Sequence, residues 1–95
     1  MPFAETPLMN DHPISRCVEA ARSAGYAWAG GEIGKYLKPV LAANASDPEA
    51  VVRGWTYWLQ RAVTDHNESV QWMTPAAFAR RSGFWIQMAK PVGVR

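Results

Sequence analysis

Between Ser46 and His66 the apolar residues recur at intervals of three and four, and that period constrains the chain more than any other feature. At 100° per residue, Val51, Trp55, Trp58, Leu59 and Ala62 fall on one face, with Val52 and Val63 at its margins. Arg53, Tyr57, Gln60, Arg61 and Thr64 fall on the opposite face. Ser46 with Glu49 three residues later has the form of a capping box, and Pro48 suits a first helical turn. The spacing therefore predicts a helix from about 46 to 66, with Glu49 and Arg53 as a favourable i, i+4 pair. A face that carries two tryptophans has to be covered by the rest of the chain, so this segment also predicts where the core lies.

The flanking segments extend the same pattern. Asp11 followed by Pro13 marks a helix start, and Ile14, Cys17, Val18, Ala21 and Ala24 share a face until Gly25 ends it. Residues 26–31 read as a connector holding a buried aromatic ring or two. A second helix is expected from about Glu32 to Ala43, with Ile33, Tyr36, Leu37, Val40 and Leu41 inward. Pro39 falls within it, on the outward side, and predicts a kink or a break there. Thr74-Pro75 starts a further helix through AAFARR. For 84–90 helix is the preferred reading, because Trp85 then shares a face with Phe78. The alternative is a strand pair with 70–73. The expected fold is thus all-α or mainly α, a compact bundle of four to five short helices, with one short β pair near 70–88 as the variant.

A chain of 95 residues makes a single domain with one core, here with a loosely held arm at 1–11 and a tail at 91–95. At 48% apolar and 19% charged residues it is globular rather than disordered. One cysteine excludes an internal disulfide framework. No apolar run is long enough to span a bilayer, and MPFAETPLMNDHP lacks the basic start and apolar stretch of a signal peptide, so no membrane partner and a cytoplasmic location are expected. Charge is distributed unevenly. Residues 1–68 carry six bases and eight acids, whereas from Ser69 onward the charged residues are Arg80, Arg81, Lys90 and Arg95, all basic.

Five tryptophans admit two readings, a core filled by large rings or an aromatic binding face. The period assigns Trp55 and Trp58 to the core. It leaves Trp28 open, and it leaves Trp72 and Trp85, in the basic part, open to partner contact. Arg53, Tyr57 and Arg61 stand at i, i+4 and i+8 and form a stripe suited to an acidic or phosphate-bearing partner, with Gly54 beside it allowing close approach of another backbone. The expected partner-binding residues are therefore Arg53, Tyr57, Arg61, Arg80, Arg81, Trp85 and Lys90.

The run TPAAFARRSGF resembles the first half of a helix-turn-helix, with Ala79 and Gly83 at the motif's small-residue and turn positions and Phe78 and Phe84 as flanking apolar residues. That resemblance implies Arg80 and Arg81 facing a DNA backbone. Ser82 stands at a position that is normally apolar, Ala89 replaces a larger aliphatic residue, and Pro91 limits the second helix to about two turns.

His12 and His66 have no helical metal-binding partner, and Cys17 sits on a core face away from either histidine. No catalytic residue, cofactor or metal site is expected. His66 reads instead as a half-buried residue ending the third helix. The function expected is a small non-enzymatic protein-binding module or inhibitor, of the sort phages and mobile elements encode, that occludes or bridges a macromolecular partner. The alternative is a DNA-binding regulator using a degenerate helix-turn-helix at 74–90. A homodimer is a further way to cover exposed rings.

Overall fold

Three of the helices begin on proline, where the fixed φ is already helical and the missing N–H would have had no partner. They are α1 (Pro13–Ser23), α3 (Pro48–His66) and α4 (Pro75–Arg80). With α2 (Gly30–Ala43), α5 (Ser82–Met88) and a single 3-10 turn at Val70–Trp72, they account for the architecture of the computed structural model, which describes residues 12–89. There is no strand among the described residues, so the variant with a β pair near 70–88 does not form. The arm 1–11, the tail 91–95, Asp11 and Lys90 lie outside the described residues.

Several local expectations are corrected. The N-cap of α1 is His12, whose Nδ1 accepts from the Ile14 N–H at 3.1 Å. The cap of α3 is Asp47, without a side-chain hydrogen bond, so the Ser46–Glu49 capping box does not form. Glu49 instead pairs with Arg16 of α1, because a guanidinium is a stronger partner for a carboxylate than a neutral amide is. Arg53, expected to pair with Glu49, lies 3.6 Å from Asp47. Pro39 does not break α2, which runs through it. Its exposed position leaves the carbonyl one turn earlier open to water, which offsets the lost hydrogen bond.

Helix ends elsewhere follow from backbone chemistry. After α1, Gly25 adopts φ +93°, the Gly25 N–H returns to the Arg22 carbonyl at 3.0 Å and the Tyr26 N–H to the Ala21 carbonyl at 2.9 Å. This is the Schellman pattern, and the left-handed residue it needs is a glycine. Asn67 ends α3 at φ 58°, a conformation that asparagine tolerates better than most side chains. Thr74 caps α4 by accepting from the Ala77 N–H at 3.1 Å.

α3 is the central element, packed against α1 on one side and α5 on another, while α2 packs on α1 and α4. Its predicted inward face is buried as expected, and Trp55, Trp58, Phe78 and Trp85 are the largest side chains of the core. Trp55 meets Phe78 edge-on at 5.2 Å and lies 5.1 Å from Trp58. Trp28 is half-buried, stacked between Tyr26 at 4.5 Å and Trp58 at 5.7 Å. The Trp55 Nε1–H donates to the Cys17 carbonyl at 2.8 Å, so the one polar atom of that buried ring is satisfied and ties α3 to α1.

The crossing of α3 and α5 depends on Gly54. A Cβ at that position would stand 2.8 Å from Ile86 Cγ1, 3.0 Å from Ile86 Cα and 3.1 Å from Ile86 N. The close backbone approach expected beside Gly54 is therefore made by the chain's own α5. Gly83, assigned to the tight turn in the helix-turn-helix resemblance, has no positive φ and nothing within 4 Å of its would-be Cβ. The small residue that permits the sharp packing is thus in α3.

Candidate interaction surface

The stripe on α3 and the end of α5 together enclose an open groove of about 470 Å³. Arg53, Tyr57 and Arg61 line it from α3, Arg16 from α1, and Met88 from α5. Each guanidinium is held by a neighbouring carboxylate: Arg16 by Glu49, Arg53 by Asp47, and Arg61 by Asp65 at 2.8 Å. The hydrogen bond from Arg16 holds the Glu49 carboxyl below its ordinary range, and that from Arg61 does the same for Asp65. Such exposed pairs add little stability. Their effect here is to fix where the positive charges stand on the rim.

Tyr57, expected on the open face, is half-buried. Its hydroxyl lies 2.9 Å from His66 Nε2, and its ring is 6.2 Å from Trp85. The cause is α5, which folds back across Gly54 and covers the side of α3 that the period alone leaves in water. His66 is half-buried at the end of α3, edge-on to Trp85 at 5.1 Å and to Phe84 at 5.7 Å.

A second, smaller cavity of about 200 Å³ lies between the 3-10 turn and α4. Trp72, Ala77, Arg80, Arg81 and Glu68 surround it, and Trp58 and Trp85 reach it from the core. Arg81 is 3.4 Å from Glu68, and its guanidinium lies 4.6 Å above the Phe84 ring. Arg80 is exposed and has no ion pair among the described residues.

The expected site residues are thus divided. Arg53, Tyr57 and Arg61 come together in one groove, and Arg80 and Arg81 border another. Trp85 is 1% exposed and belongs to the core, so it offers a partner no surface. Trp72 is 69% exposed and is the tryptophan that faces solvent. Met88 and Arg16 complete the first groove and carry no local sequence signal, because they reach it from other helices.

The segment that resembles a helix-turn-helix folds as two short helices, α4 and α5, with Arg81 alone between them. α5 buries Trp85 and presses Ile86 onto α3, leaving Phe84, Gln87 and Met88 outward. Burial pushes the Cys17 thiol up to about 12. Among the described residues, no group of three His, Cys, Asp or Glu side chains is placed to hold a metal ion. No helix of the described residues is long and apolar enough to cross a membrane. No protein-family model, no curated protein and no solved structure matches the chain.

Proposed function

We propose that the protein is a small, non-enzymatic protein-binding module of the inhibitor type, acting in the cytoplasm by covering or bridging sites on a protein partner. One observation carries this reading. The exposed large hydrophobics of the described residues, Val70, Trp72, Phe84 and Met88, all fall within 70–88, the part of the sequence that has no acid. Exposed aromatic, methionine and arginine side chains with acidic residues depleted are the composition of a protein interface rather than of ordinary surface. Met88 borders the groove that gathers Arg53 and Arg61, so apolar and basic contacts meet at one place.

The test is affinity capture from host lysate with the tagged protein, with and without nuclease. The expected result is a captured protein that survives nuclease and is lost with Arg53→Glu/Arg61→Glu and with Met88→Glu, while circular dichroism stays unchanged. Retention of the same partner by both variants refutes the groove. The alternative, DNA binding through 74–90, draws on the exposure of Arg80 and Arg81 beside the α4–α5 junction. It requires capture that nuclease abolishes and affinity that falls with salt by a slope of about −0.9 per phosphate neutralised.

A further inference from the structure

The cavity beneath Trp72 is built differently from the α3 groove. At about 200 Å³ it is smaller than the roughly 300–1,000 Å³ of small-molecule sites, and it suits one anchoring side chain. Its wall is an indole left 69% exposed, and Trp72 makes no ring contact among the described residues, whereas Trp28, Trp55, Trp58 and Trp85 all do. A tryptophan left in water forgoes the burial that the other four gain, and tryptophans so placed are enriched among interface hot spots.

The charge at the rim is also specific. Glu68 neutralises Arg81, and Arg81 further rests on Phe84 and Trp85. Arg80 remains as the cation with no counter-ion among the described residues. The rim therefore offers one net positive charge, enough for one carboxylate. A nucleic-acid strand needs a basic track that follows several phosphates, and with Arg81 paired to Glu68 this rim has, among the described residues, a single free cation in place of such a track.

We propose that the Trp72 cavity receives an apolar side chain from an acidic segment of a partner protein, with Trp72 covering that side chain and Arg80 pairing the adjacent carboxylate. This rests on the reading of the chain as a protein-binding module, but on a cavity distinct from the α3 groove. The two are therefore separable: Arg53→Glu/Arg61→Glu leaves this cavity intact, and Trp72→Ala leaves the groove intact.

The experiment is a titration of the isotopically labelled chain with three acetylated, amidated pentapeptides: Glu-Glu-Phe-Glu-Glu, Glu-Glu-Ala-Glu-Glu and Lys-Lys-Phe-Lys-Lys. Single-stranded oligothymidylate is the fourth arm. The readout is the Trp72 indole and Arg80 side-chain resonances. The acidic phenylalanine peptide is expected to shift both saturably in the millimolar range that a lone anchor supports. The other two peptides should bind at least about tenfold more weakly, and Trp72→Ala or Arg80→Glu should weaken the first peptide by at least about tenfold. Both positions are exposed, and unchanged circular dichroism verifies that each variant folds. The proposal is overturned if the acidic peptide shifts neither resonance, if the basic peptide binds as well, or if oligothymidylate binds more tightly than the peptide.

Discussion

Replacing Gly54 by alanine tests the packing on which both surfaces depend. Ordinary van der Waals contact with a Cβ begins near 3.4 Å, and here the new atom would stand 3.0 Å from Ile86 Cα and 3.1 Å from Ile86 N. Both are backbone atoms, so no rotamer change relieves them and α5 itself has to move by several tenths of an ångström. Overpacking of this kind costs about 1–3 kcal/mol. Trp85 moves with its neighbour Ile86, and a gap approaching 0.5 Å forfeits up to about a quarter of its contact energy, adding about 1 kcal/mol to the cost. Alanine in a helix interior returns about 1 kcal/mol relative to glycine. The net is a destabilisation of about 1–3 kcal/mol, which for a domain of this size lowers the melting temperature by about 5–20 °C. Thermal unfolding followed by far-UV circular dichroism measures it. Gly83→Ala is the control, since it lies in α5 with nothing within 4 Å and should match or exceed the parent in stability. If Gly54→Ala unfolds at or above the parent temperature while Gly83→Ala behaves as stated, the account of the α3–α5 crossing is wrong.

Three further outcomes follow from particular contacts. Trp55→Phe removes the donor to the buried Cys17 carbonyl and should lower the urea midpoint by the equivalent of about 1–3 kcal/mol; an unchanged midpoint would show that this bond contributes nothing. Cys17, buried and with its thiol raised to about 12, should react with a disulfide reagent at neutral pH only as fast as the chain unfolds, and rapid labelling of the native state would contradict its burial. Glu49 is held below its ordinary value of 4.5, first by the hydrogen bond from Arg16. Its folded value is thus lower than its unfolded one, so the stabilisation is present above about pH 4.5 and is lost as pH falls through the folded value. Glu49→Gln should therefore flatten the acid limb of a stability–pH curve in that window, and an unaltered limb would remove the α1–α3 ion pair from the account.

The sequence by itself determined α1, α2, α3 and the start of α4, with the main inward side of the first three, and left 84–90 between helix and strand. The three-and-four spacing of Val51, Trp55, Trp58, Leu59 and Ala62, the glycine after α1 and the Thr74-Pro75 start are all local signals. They survive in the fold because period and capping chemistry act within one turn of the residues that carry them. The lone Gly54 inside a helix signalled that something would come close. What period cannot express is which neighbour covers a helix's second face. Only the tertiary structure decided that α5 lies across Gly54, that Tyr57 is drawn beside Trp85 and His66, and that Glu49 turns from its own cap to Arg16. The same packing parted two tryptophans that read alike in the basic segment. Trp85 is carried under α3 by the close crossing, while Trp72, on a 3-10 turn without a buried face, remains in solvent.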